Sequence, residues 1–132
     1  MIRLVCTCEL YGERFSPKLI AQLTGITFAR QNEVGDIGTS GRYRGTRIPY
    51  GSATIGVPKH IEAGGEILWL ARRLMPHIQM LRDAGASDIW FSIGLFHDGQ
   101  CNWSLSEEEL SAVSALGIRM DISAHEDDGT KL

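Results

Sequence analysis

The chain has 132 residues, 43% of them hydrophobic and 22% charged, with 13 Lys and Arg against 16 Asp and Glu for a net charge of −3. That length suits one domain able to fold without disulfides or metal, and the composition excludes disorder, collagen-like repeats and a coiled coil. No apolar run approaches the ~20 residues of a membrane span, and an acidic chain is not a generic nucleic-acid binder.

Charge is uneven along the chain. Residues 1–60 hold 8 basic against 4 acidic side chains (+4), and residues 61–132 hold 5 against 12 (−7), which together recover −3. Three cysteines and a start that runs straight into strand-like alternation, with no signal-peptide pattern, predict a reducing, cytoplasmic setting.

Residues 2–11 alternate. Ile2, Leu4, Cys6, Cys8 and Leu10 face one way, and Arg3, Thr7 and Glu9 the other, as in a half-buried strand. Cys6 and Cys8 therefore share a core face and are read as small hydrophobes rather than metal ligands. Ser16-Pro17 predicts a helix start and Gly25 its end, with Leu19, Ile20 and Leu23 as the apolar stripe.

Residues 31–65 hold 8 of the 15 glycines and no Leu or Met, which predicts a long loop or ragged hairpin followed by a short strand over 52–57. A long helix is expected from about Gly65 to Ala84. Ile67, Leu70, Ala71, Leu74, Ile78 and Leu81 form its buried stripe, and Pro76 kinks or breaks it.

Asp88 to Phe96 carries apolar residues on both faces and reads as a central strand. Asp98-Gly99 predicts a hairpin turn, with Gln100 to Leu105 as the returning strand. Ser106-Glu107-Glu108-Glu109 is a capping box opening a helix with Leu110, Val113 and Leu116 inward and Gly117 as its stop. Ile118, Met120, Ile122 and Ala124 make a last one-sided strand, and a polar, frayed tail is expected over 125–132.

Taken together, the elements predict a single α+β domain over 1–124: a mostly antiparallel sheet with helices packed on one face. A faint echo between Phe15-Ser16-Pro17 … Thr24-Gly25-Ile26 and Leu105-Ser106-Glu107 … Leu116-Gly117-Ile118 suggests two strand-helix-strand halves.

The first strand followed by "FSPKLIAQLTGI", the segments "GDIGTSGRYRG" and "EILWLARRLMPHIQMLRDAG", and the ending "LSEEELSAVSALGIRMDIS" resemble the bacterial domain-of-unknown-function family 4279 over about residues 3–124. These are caps, stripes and turns rather than catalytic signatures. The resemblance implies a small cytoplasmic accessory domain without an established activity, of the kind found as immunity partners of toxins or passengers of mobile gene cassettes.

Chemistry finds little support in the spacing. His60, His77, His97 and His125 form no ligand pair, no nucleophile elbow is present, and the glycine-rich segment lacks a Gly-Lys-Ser/Thr phosphate loop. No metal, cofactor or catalytic residue is therefore assigned.

Two recognition surfaces stand out for a protein partner or self-association. One is the helix ridge of Trp69, Arg72, Arg73 and Met80. The other is the loop cluster of Arg42, Arg44 and Arg47, since Trp and Arg concentrate binding energy. The alternative is a small-ligand pocket between the sheet and the glycine-rich loop, lined by Tyr43, Arg44, Trp90 and Phe96, with His97 and Asp98 as the available acid–base pair. The Trp90/Gly94/Phe96 face reads either as a groove or as a second core face beneath residues 31–65. The main expectation is a non-enzymatic protein-binding module. Nucleic acid is disfavoured by the acidic second half, and no membrane partner is expected.

Overall fold

The structure, a computed structural model, describes residues 1–127. Its elements in chain order are β1 (Ile2–Gly12), α1 (Pro17–Thr24), β2 (Arg30–Asn32), a 3-10 turn (Gly41–Tyr43), β3 (Gly51–Gly56) and α2 (Glu66–Leu74). A second 3-10 turn (Met75–His77) leads to α3 (Ile78–Asp83), β4 (Asp88–His97), α4 (Glu107–Leu116) and β5 (Arg119–Glu126). The five strands form one sheet in the order β2-β3-β1-β4-β5. Every neighbouring pair is antiparallel except β4 and β5. This is an α+β fold, mostly antiparallel. Its first four strands follow the split β-α-β-β-α-β arrangement called ferredoxin-like, a frame that hosts many functions.

Local signals account for the helix ends. Ser16 accepts from the Leu19 amide, Pro17 begins α1, and Gly25 closes it at φ 72°. A second cap comes from far along the chain. The Glu33 carboxylate takes a hydrogen bond from the Ser16 hydroxyl and another from the Lys18 amide at 3.1 Å, placing negative charge where the helix dipole is positive. In α4 the capping box is complete, with Ser106 and Glu109 each bonding the other's amide. Arg82 of α3 closes the far end by donating to the Leu116 carbonyl at 2.7 Å.

Pro76 breaks the long helix, since it has no amide to continue the ladder. The stripe nevertheless keeps its phase through the 3-10 turn. Ile67, Leu70, Ala71, Leu74, Ile78 and Leu81 are all buried, in one cluster with Cys6, Cys8, Leu10, Ala53, Ile55, Phe91 and Ile93 of the sheet. The helix α2 lies against β1, and α4 against α2.

The hairpin predicted at Asp98-Gly99 does not form. Gly99 does turn the chain, at φ 69°, but one edge of β4 is taken by β1 along its whole length and the other by β5 in parallel. Residues 100–106 instead cross to α4 without a strand partner. Their alternation is real but has another cause: Cys101, Trp103 and Leu105 rest half-buried on the core while their neighbours face water. The two strand-helix-strand halves also differ, because β3 lies between β1 and β2 whereas β4 and β5 are adjacent.

Several residues expected inside lie outside. Leu19, Leu23, Leu110 and Ile122 are each about half exposed or more. In α1 and α4 only the innermost positions, such as Ile20, Val113 and Leu116, reach the core, because short helices turn one narrow line of side chains inward. β5 extends through Glu126, so His125 and Glu126 belong to the sheet and not to a tail; the expected tail beyond Asp127 lies outside the described residues. No helix among the described residues is long and apolar enough to cross a membrane.

Candidate functional site

Opposite residues in a ladder point to the same side of a sheet. The face of β1 that does not carry the cysteines can therefore be followed across the strands. Arg3 lies opposite Phe96, Val5 opposite Gly94, Thr7 opposite Ser92, and Glu9 opposite Trp90. On β5 the matching residues are His125, Ser123, Asp121 and Arg119. Thr54 of β3 continues the Glu9 row, and Arg30 of β2 ends it. This is the outer face of the sheet. Apart from Thr54 its residues are half-buried or exposed, and Val5 at its centre is 43% exposed. Trp90 and Phe96 thus stand outside the buried cluster, each half-buried on the outer face.

Both aromatics carry an arginine. The Arg119 guanidinium sits 4.5 Å from the Trp90 ring centre, and Arg3 sits 4.5 Å from that of Phe96. Asp88 and Asp121 both bond Arg119, Asp121 at 3.3 Å. Desolvation pulls the Arg119 pKa down, but the bonds and charges of the two carboxylates outweigh it, so the net shift is upward. His125 stacks on the other side of Phe96, with ring centres 5.0 Å apart. Gly94 explains how Phe96 lies down: its ring edge comes within 3.2 Å of where a Cβ on Gly94 would be. The glycine accommodates a ring and leaves no groove. Glu9 is held between two threonines, its oxygens each 2.8 Å from the hydroxyls of Thr7 and Thr54.

The loop between β2 and β3 is a ragged hairpin, tied by amides of Gly35, Gly38 and Ile48 to facing carbonyls. Its Arg42 lies within a 3-10 turn and Arg44 follows the turn's last residue. Arg42 lies over Tyr43, Tyr43 meets Tyr50 edge-on at 5.7 Å, and Tyr50 packs on Tyr11 at 4.6 Å. Since Tyr11 is on the outer face of β1, this chain of rings joins Tyr43 to the same side of the molecule as Trp90. Arg47 turns back to the Gly35 carbonyl, and Arg44 is exposed. Tyr43, Trp90 and Phe96 do not line a common hollow.

The helix residues divide. Trp69, Arg72 and Arg73 border one shallow hollow of about 460 Å³ together with Ile61, Gly65 and Leu68. Trp69 itself packs partly on the core, so it is less exposed than its wheel position predicts. Arg72 pairs with Glu108 of α4, and Arg73 lies 3.5 Å from His77. Met80, beyond the break, is exposed and is not part of the hollow. His97 and Asp98 meet at a different hollow, of about 410 Å³, shared with Arg3 and Phe96. There the His97 Nδ1 lies 2.9 Å from the Gly99 carbonyl, while Asp98 binds the terminal ammonium, whose hydrogen bond lowers its pKa.

Among the described residues no group of three or more His, Cys, Asp or Glu could hold a metal ion. Burial pushes the Cys6 thiol up from 9.0 to about 12, with the Glu66 charge adding to it, and burial raises Cys8 further. Thiols so held are inert. They also set a pH dependence. Above about pH 9 the unfolded chain loses thiol protons that the folded chain keeps, so stability falls as pH rises toward 12, by about 1.4 kcal/mol per pH unit for each thiol. Urea denaturation at stepped alkaline pH should show that slope in the wild type. In Cys6→Ala the slope should be shallower by one thiol.

Of these surfaces the outer sheet face is the least legible in the sequence. Trp90 and Phe96 could be singled out, but their arginines could not, because Arg3 and Arg119 come from opposite ends of the chain. Comparison of the chain with protein-family models, with curated proteins and with solved structures found no match.

Proposed function

We propose that the protein is a non-enzymatic binding module that docks a protein partner on the outer face of its sheet. The observation carrying this reading is the pair of half-buried aromatics, Trp90 and Phe96, each set against an arginine on the side of the sheet away from the buried cluster. Aromatic and arginine side chains dominate the energetics of protein interfaces, and these four are already ordered by their neighbours, which lowers the entropy lost on docking. The charge of the face favours protein over nucleic acid. Arg3, Arg30 and Arg119 are balanced by Glu9, Asp88 and Asp121, whereas a phosphate backbone needs an excess of positive charge. An accessory role of the kind the family resemblance implies fits such a module.

The test compares Trp90→Ala/Phe96→Ala with Trp69→Ala/Arg73→Ala, each checked for fold by circular dichroism. Affinity capture from the native cell extract should retain the same protein on the wild type and the helix variant. The sheet variant should lose it by at least thirtyfold, the effect of one hot spot of about 2 kcal/mol. Loss from the helix variant alone would move the docking site to the Trp69 hollow and overturn this reading.

A further inference from the structure

The two edges of the sheet are built differently. β2 has three residues, too short to template another strand, whereas β5 has eight, nearly all exposed. Natural edges are blunted by charged side chains, above all Lys, and by Pro, bulges or covering elements; the charges of β5 are Arg119, Asp121 and Glu126, which leaves 122–124 uncharged. The β5 sequence RMDISAHE has no Lys, Pro or Gly. Its one side pairs with β4, and its other side meets no strand among the described residues. Ile122, on the core side, is 48% exposed.

We propose that this edge pairs with β5 of a second copy of the chain, antiparallel about a two-fold axis at Ser123. Self-pairing keeps core side against core side only when a residue lies opposite its own copy, since a one-residue slip flips every side chain. An axis at Asp121 sets that carboxylate against itself and pairs only residues 119–123, and an axis at Ala124 pairs only residues 122–126. An axis at Ile122 sets Arg119 opposite His125 of the second copy. The axis at Ser123 instead places Asp121 opposite His125 and Ile122 opposite Ala124, with Met120 opposite Glu126 at the end of the pairing, so that a carboxylate meets an imidazole on the outer side and two apolar groups meet at the centre of the core side. Backbone hydrogen bonds then continue across the axis, and the two outer faces join into one surface.

Sedimentation of the full chain at high micromolar concentration should give twice the 14.6 kDa of one chain. Ile122→Lys should weaken the dimer by at least tenfold while circular dichroism shows the fold intact. In a Cys101→Ser background, Ser123→Cys should form a covalent dimer under mild oxidation, and Ile122→Cys should not. A monomer throughout, a dimer indifferent to Ile122→Lys, or faster cross-linking through Ile122→Cys overturns the proposal. Trp90→Ala leaves this dimer unchanged, so failure here and failure of the sheet-face reading are separable.

Discussion

Replacing Phe91 with Ala should lower the unfolding free energy by about 3–5 kcal/mol, a large fraction of the ~5–15 kcal/mol that holds a typical domain folded. Phe91 is fully buried on β4, between Cys8 of β1 and Met120 of β5, on the face that meets the helix stripe. Truncation removes the ring's burial and leaves a cavity that two paired strands cannot close. Urea denaturation reads the loss as a lower midpoint with little change in slope. Trp90, the preceding residue, is the control. It faces the other way and is half-buried rather than fully buried, so Trp90→Ala should cost clearly less stability than Phe91→Ala while weakening partner binding. A similar stability loss for both variants would mean that the outer face is covered.

A second large effect is expected where one added methyl group has no space. A Cβ on Gly51 would stand 1.8 Å from the Phe15 carbonyl oxygen, and one on Gly12 would stand 1.8 Å from the Gly85 carbonyl oxygen. The end of β1, the start of β3, the turn before β4 and the approach to α1 all meet at this junction, backbone against backbone. Gly51→Ala must therefore move the main chain at Phe15, which is itself buried. The expected cost is about 3 kcal/mol or more, seen as a lower thermal midpoint or as failure to fold. Gly25→Ala calibrates it. Gly25 has a left-handed φ of 72° but nothing within 4 Å of its Cβ position, so its substitution should cost only the conformational strain of about 1–2 kcal/mol. A smaller loss at Gly51 than at Gly25 would show that the junction is loose.

Much of the fold was legible one segment at a time. The alternation of Ile2 to Leu10, the caps at Ser16 and Ser106, the stops at Gly25 and Gly117 and the stripe from Ile67 to Leu81 are short-range physics. Each depends on a period or a cap within a few residues. The candidate site was less legible. Trp90 and Phe96 stood out as bulky residues on the second face of a central strand, but periodicity cannot say whether a second face is covered. The helix ridge is only partly legible for the same reason. A wheel places Trp69 opposite the stripe, yet the real side chain reaches back onto the core, and Met80 is separated from it by the break at Pro76.

What the sequence by itself determined is most of the elements, the buried stripe of the broken helix and the α+β class, because hydrophobic period, caps and turns act locally. What only the tertiary structure decided is which strands became neighbours. The Asp98-Gly99 signal marks a turn but cannot know that β1, far earlier in the chain, already occupies the edge of β4 that a hairpin would need. That competition for an edge sends residues 100–106 across the core and makes β5 a parallel, exposed margin. It also sets Arg3 and Arg119, 116 positions apart, against two aromatics of a single strand. Pairing of this kind is settled by the burial of one shared face, a free energy that belongs to the assembled sheet and to no segment of it.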